Sequence, residues 1–507
     1  MTRIHAEAVA AAMPPPARFS PELRRVIAAL VLGGVLVMLD STIVNIALHT
    51  LSAELDTTLA GVQWVVTAYT LAMGLVIPVS GWLARRAGAR RLVVAATATF
   101  TVASLLCGLA QDPAQLIAFR VLQGLAGGLM MPVGQIILVR AAGPDRLPRV
   151  MAVLGLPMIM APVVGPTLGG LLLEHASWEW IFLVNVPVGI VATWLAWRML
   201  PSDGAGEKAG PLDVPGLALA AAGTVGLTYG LAEAGEPGGA LAGAVWAGGG
   251  AVLLALFVLR SLRVRRPLLD VRLFRNAGFA AASLASFTLS AAMFGGMILL
   301  PLYFQTVRHE DAVATGLLVA PQGLGAAAAM WASGRITERL GAGLTSLLGG
   351  LVAVVTTVPY VLVTEDVSYP LLALAMVGRG IGIGLSAMPP MTAAFQALSP
   401  AQIADASPQL TVLQRVGASV GTAIFAVALQ QGLDGAGTAP ARQADAFGGA
   451  FGWVLAVTAV AVLPAVVLMV TERRRRAAQP EPEPLALSPD QSDRADQPGQ
   501  GVPRGSS

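Results

Sequence analysis

The chain has 507 residues, 55% of them hydrophobic and only 12% charged, with 32 Lys and Arg against 29 Asp and Glu. A soluble domain carries about 25% charged residues, so this composition excludes a water-soluble protein of this size and calls for lipid over much of the surface. The single cysteine, Cys107, lies in an apolar run, and His5, His49, His175 and His309 have no metal-ligand spacing, which excludes a disulfide framework and argues against a zinc or haem enzyme.

Residues 1–25 lack the charged, apolar, small-residue order of a cleaved signal and read as a short cytoplasmic lead. A bilayer-crossing helix needs about 20 apolar residues. Six such runs follow, near 26–48, 62–84, 92–110, 114–139, 150–173 and 179–199. Two more lie near 214–233 and 240–260, and a last six near 278–304, 312–333, 344–364, 369–391, 407–430 and 448–471. The connections are too short for a soluble catalytic domain. The run Arg473–Arg476 ends the last span, and 473–507, rich in Pro, Gln, Asp and Ser, reads as a disordered cytoplasmic tail.

The pI near 9.4 does not point to nucleic acid, because the basic residues follow the loops. With the N-terminus inside, 27 of the 32 fall on the cytoplasmic side, and only Arg308 and Arg442 lie outside. That is the positive-inside pattern of an inner-membrane protein with an even number of spans and both termini cytoplasmic. Arg120, Arg379 and Arg415 fall within spans.

The chain also repeats itself. Gly81-Trp-Leu-Ala-Arg85-Arg86-Ala-Gly88 after span 2 matches Gly334-Arg-Ile-Thr-Glu338-Arg339-Leu-Gly341 after span 10. Arg120 with Gly124 and Gly128 matches Arg379 with Gly380 and Gly384, and Gly165/Gly169 matches Gly417/Gly421. The offsets are 253, 259 and 252 residues. The expected fold is therefore an all-α polytopic membrane protein of fourteen spans, with six-helix halves at 26–200 and 277–472. Residues 201–276 carry an inserted helix pair and its cytoplasmic loops. Duplication with a site between the halves is a transporter architecture.

These residues resemble the major facilitator superfamily, in its fourteen-span drug:proton antiporter branch. Leu39-Asp-Ser-Thr-Ile-Val-Asn-Ile-Ala-Leu48, the loop from Gly81 to Leu92, and Arg120-Val-Leu-Gln-Gly124 are similar to its signatures. So are Gly165-Pro166-Thr-Leu-Gly169-Gly170, the antiporter motif, and Trp178-Glu-Trp-Ile-Phe-Leu-Val-Asn185-Val-Pro-Val-Gly189. Two positions depart from the pattern. Arg85 stands where the family has an acid of the inner gate, the acid surviving only as Glu338, and Ala161 replaces a glycine. Arg85→Asp, which restores that acid, is expected to be tolerated.

Asp40 lies about 14 residues into span 1, where a lipid-exposed carboxylate would cost several kcal/mol. It is the candidate proton-coupling group, the alternative being a packing acid satisfied by Ser41, Thr42 or Asn45. Arg120 cannot deprotonate and needs a carboxylate or carbonyls; the resemblance links it to proton transfer, with Asp40 as partner. Arg379 and Arg415 read as structural. Asn45, Gln123 and Gln322 are the candidates for the substrate cavity, and one deep acid favours cationic or neutral lipophilic cargo. Gly81, Arg85, Arg86, Gly88, Arg90, Arg91, Glu338 and Arg339 form the expected gating loops, although the arginines also serve as a positive-inside anchor. Gly165, Pro166, Gly169 and Gly170 permit tight packing and a bend.

The expected function is proton-driven export of small lipophilic molecules by alternating access, with small molecules, protons and lipids as partners. No cofactor is expected, and the chain carries no Walker motif for direct use of ATP. A periplasmic adaptor is the one protein partner the resemblance allows; otherwise the chain is a monomer. Transport of a specific endogenous metabolite is the alternative. A polytopic membrane enzyme would need polar clusters in its loops, and pairs such as Glu54/Asp56 and Glu365/Asp366 read more simply as solvated turns.

Overall fold

A computed structural model of the chain describes residues 19–202, 210–234, 238–437 and 439–477. The outer parts of the lead and tail, 1–18 and 478–507, lie outside the described residues. Among those described, every regular element is helical. Span 1 (Pro21–Glu54) begins five residues earlier than its apolar run because Pro21 suits the first helical turn and the Ser20 hydroxyl accepts from Leu23 N. The same device starts span 4 at Asp112, span 7 at Asp213, span 9 at Asn276 and span 10 at Asp311.

Among the described residues, twelve segments are long and apolar enough to cross a bilayer. One of them, Pro113–Pro157, already runs from span 4 into span 5. Gly143, at φ 69° and ψ 169°, divides the helix Pro113–His175 into limbs 113–142 and 144–175, a conformation that favours glycine. Span 10 (Ala312–Leu340) has 29 residues, about 43 Å at the rise of an α-helix, with Arg335, Glu338 and Arg339 at its polar end. With these two limbs the fourteen-span reading is consistent with the structure.

Of the remaining spans, 2, 6 and 12 are interrupted beside prolines, whereas Pro301, Pro359, Pro408 and Pro464 lie inside the continuous helices of spans 9, 11, 13 and 14. Span 2 is Leu59–Val76, a 3-10 turn Ile77–Val79 around Pro78, and Ser80–Ala87. Span 3 is Ala89–Cys107. Span 6 breaks between Trp180–Leu183 and Asn185–Met199, since Pro187 lacks the N–H that would return to Leu183. Span 7 is Val214–Glu233, span 8 Ala240–Arg263, span 9 Ala277–Thr306 and span 11 Ala342–Val361. Span 12 is Tyr369–Ser386 followed by Pro389–Gln396, span 13 Ile403–Ala436 and span 14 Pro440–Ala477. The last helix continues through Arg473–Arg475, past the expected end at 472, because nothing in that run breaks a helix.

The two halves pack alike, through glycines at matching positions. Gly165 and Gly169 of span 5 lie on Thr42 and Ile43 of span 1, while Gly417 and Gly421 of span 13 lie on Phe287 and Ala291 of span 9. Gly124 and Gly128 of span 4 lie on Tyr69 and Met73 of span 2, while Gly380 and Gly384 of span 12 lie on Gln322 and Ala326 of span 10. Small residues allow such backbone approach in a bilayer, where burying apolar area between helices gains little. Spans 7 and 8 form their own glycine seam, with Gly230 on Ala247 and Gly250 on Leu227. Span 7 touches spans 2 and 13. Span 8 leaves Leu241, Val245, Trp246 and Val252 exposed, as a lipid-facing helix should.

Candidate functional site

Asp40 and Arg120 are both fully buried and form an ion pair, Arg120 Nη1 lying 2.6 Å from Asp40 Oδ2. The second carboxylate oxygen, Oδ1, accepts from Gln123 Nε2 at 2.9 Å and Asn185 Nδ2 at 3.0 Å. Arg120 also donates to Gln123 Oε1 at 2.8 Å and to the Val65 carbonyl at 3.2 Å. Ser104 completes the cluster, accepting from Gln123 and Asn185 while donating to the Phe182 carbonyl at 2.9 Å. The Tyr69 ring covers the guanidinium at 3.9 Å, a cation–π contact strengthened by desolvation.

Five spans thus meet in one cluster, three of them, 1, 4 and 6, at the carboxylate itself. The break in span 6 just before Asn185 lets that amide turn inward. Ser41, Thr42 and Asn45 do not serve Asp40: they bond to the Met38, Leu39, Ala161 and Ser41 carbonyls. Asn185, Ser104 and Tyr69 were missed by sequence reasoning. Asn185 could have been found, as an amide inside an apolar run within a quoted motif; Ser104 and Tyr69 carry no local signal.

Beside this cluster lies a cavity of about 360 Å³ between the halves, within the usual size of a small-molecule site. Its walls hold Met38, Met73, Met131, Met151, Met388 and Met391, unbranched side chains that re-pack around ligands of different shape. Polar groups on the wall include Ser41, Thr70, Gln135, Thr228, Gln414 and Arg415. Tyr69 belongs to both sites.

The residues expected to line the cavity are placed elsewhere. Gln123 is drawn into the Asp40 cluster by its hydrogen bonds. Asn45 is exposed and bonded to its own helix. Gln322 belongs to the seam between spans 10 and 12, its carbonyl against Gly380, and its Oε1 is buried without a partner among the described residues. Helix rotation, which a linear reading leaves open, decides each case. Arg379, as expected, is a clamp on backbone: it donates to the Gly296 and Ala292 carbonyls at 3.4 Å.

The loops expected to gate come together in pairs across the halves. Gly81 lies against the Ala404 carbonyl, and one turn later Arg85 Nη1 is 2.7 Å from Asp405 Oδ1. Gly334 lies against the Arg149 backbone, and one turn later Glu338 pairs with Arg149. Gly88 and Gly341 both end their helices at φ 89°, the left-handed region that glycine adopts without strain. Arg90 donates to the Trp197 carbonyl, while Arg86, Arg91 and Arg339 are exposed, as anchors at a membrane surface should be. In the antiporter motif, a Cβ at Gly165 would meet Thr42 Oγ1 at 2.1 Å and one at Gly169 would meet Ile43 Cγ1 at 3.0 Å, whereas Gly170 faces open space. The backbone of Pro166 continues the helix.

The comparisons with known proteins agree with this architecture. The profile of the Major Facilitator Superfamily matches residues 30–422. A multidrug resistance protein B homolog of Mycobacterium tuberculosis is 40% identical over 422 residues, 82% of this chain and 77% of that protein. The multidrug export protein EmrB of Haemophilus influenzae is 30% identical over 399 residues, 78% of each chain. A crystal structure of the human organic anion transporter MFSD10 matches with a TM-score of 0.61 over 88% of this chain and 100% of that one; at 16% identity it shows the fold alone. With matching halves around a central cavity and a profile match over most of its length, the chain belongs to the major facilitator superfamily and is a multi-pass membrane transporter.

Proposed function

We propose that the chain is a proton-coupled antiporter that exports small lipophilic molecules from the cytoplasm, sitting in the inner membrane with both termini cytoplasmic. The observation that carries this reading is the buried Asp40–Arg120 pair beside a Met-walled cavity. Asp40 is the one fully buried acid among the described residues, and Arg120 holds its positive charge at any accessible pH. Protonation of Asp40 would leave the charged Arg120 guanidinium against a neutral carboxylic acid and loosen the hold of Gln123 and Asn185. Deprotonation restores these contacts. Since the cluster ties spans 1, 2, 3, 4 and 6 together, proton loading changes how firmly the first half is braced.

A membrane potential supplies about 2.3 kcal/mol per charge per 100 mV, enough to drive concentrative export. The multidrug names of the relatives support a broad cargo range, and the deformable cavity wall supports it independently. The basic residues on the gating loops and at the end of span 14 support the orientation.

Reconstituted vesicles with an imposed pH gradient test the reading. Asp40→Asn leaves Arg120 uncompensated, and breaking a buried pair costs about 3–5 kcal/mol, so Asp40→Asn/Arg120→Gln is the matched variant. It should bind cargo yet fail to accumulate it against a gradient. Gradient-driven transport at the wild-type rate by this double variant would reduce Asp40 to a packing residue.

A further inference from the structure

Three arginines lie within the apolar runs, away from the charged helix ends, and the protein answers two of them. Arg120 has the Asp40 carboxylate, and Arg379 has two backbone carbonyls. Arg415 lies on the cavity wall, and the contact found for its guanidinium is the Met73 thioether, at 3.6 Å from Nη2. No acid lies within salt-bridge distance of it among the described residues, and no Asp or Glu lines the cavity. Asp40 is not available to it, being committed to Arg120, Gln123 and Asn185 beneath the Tyr69 ring.

A guanidinium cannot neutralise itself by losing its proton, and an uncompensated charge in an apolar chamber is costly unless a counter-charge arrives. Gln414, the neighbouring residue, and Ser419, one turn further along the helix, face the same space and can donate hydrogen bonds. The rest of the chamber is thioether and hydrocarbon with uncharged groups such as Ser41, Thr70, Gln135 and Thr228, none of which carries a counter-charge.

We infer that the cavity selects lipophilic anions, with the carboxylate, sulfonate or phenolate of the cargo on Arg415 and its apolar body among the methionines. This rests on the reading of the cavity as the cargo site and reverses the preference for cations expected from a deep acid. A planar guanidinium takes such groups through two parallel N–H bonds.

The test uses a matched set of fluorescent probes: dansylaminoundecanoic acid, its methyl ester, and a dansyl undecyl trimethylammonium salt. Binding is measured by fluorescence on the purified full-length protein, and transport in vesicles. Wild type should bind the acid at least tenfold more tightly than the ester and should bind the ammonium salt least. Arg415→Gln should bring the acid-to-ester affinity ratio to about one, and Arg415→Lys should retain part of the preference. Equal binding of acid and ester, or an acid-to-ester ratio unchanged in Arg415→Gln, would overturn the inference. Binding and transport fail separately: transport of the ester and ammonium salt without preference for the acid sinks only the anion proposal. Arg415-dependent binding with no transport of any probe sustains the anion proposal and sinks the export reading.

Discussion

Arg85 and Asp405 join the two halves through a 2.7 Å ion pair that, position for position in the repeat, reverses the charges of the pair between Glu338 and Arg149. In the repeat, Arg85 corresponds to Glu338, and Asp405 lies 256 residues after Arg149, close to the offsets of the other landmarks. Both arginines come from the first half and both acids from the second. The departure at Arg85 is compensated at Asp405, and charge is balanced across the interface rather than within one loop.

This pairing reverses the expectation that Arg85→Asp is tolerated. The substitution would set a second carboxylate against Asp405, and like charges facing each other at an interface cost several kcal/mol. Arg85→Asp should lower transport at least tenfold at matched expression. Asp405→Arg added to it should restore most of the activity, since the swapped pair recreates the contact. If the double variant is as poor as the single, the pair does not set the rate.

The glycines one turn before these pairs should be equally intolerant. A Cβ at Gly81 would stand 2.0 Å from the Ala404 carbonyl oxygen, and one at Gly334 would stand 2.6 Å from Arg149 Cα. Both neighbours are backbone and cannot rotate away. Gly81→Ala and Gly334→Ala should each slow transport by about tenfold, the scale of 1–3 kcal/mol of overpacking. Gly248→Ala, where nothing lies within 4 Å, should behave as wild type. Efflux rates of the three variants at equal protein levels decide the matter.

Asn185 offers a test of the Asp40 cluster that leaves its charges in place. Hydrogen bonds to a charged group are worth about 1.5–3 kcal/mol. Asn185→Leu should cut gradient-driven transport by about tenfold or more while leaving cargo binding within twofold. Loss of binding in parallel with transport would mean that Asn185 supports the cavity rather than the carboxylate.

Arg379 should affect stability rather than selectivity. Arg379→Gln weakens two contacts to buried carbonyls and should destabilise the protein by about 1–3 kcal/mol, seen as a lower midpoint in thermal unfolding. Its acid-to-ester binding ratio should match wild type. A changed ratio would give Arg379 a part in cargo recognition.

The spans, the duplication and the family were legible in the sequence. Those properties are local: an apolar run of sufficient length, a basic loop, a glycine pair and a charged turn are each legible within about 25 residues. Asp40 and Arg120 were legible because an ionisable residue in an apolar run stands out against lipid. The tertiary structure alone decided which groups answer which. Asn185 reaches Asp40 across 145 residues and Asp405 reaches Arg85 across 320. It also decided helix rotation, which sends Gln123 to the carboxylate, Asn45 to an exposed face and Arg415 to the cavity. A hydrophobic pattern does not encode rotation when the helix is apolar on every side: span 1 carries its buried Asp40 on a helix whose other faces are Leu, Val and Ile. In a bilayer both lipid and protein neighbours accept such faces, so only the packing of glycines against partner backbones fixes which way each functional side chain turns.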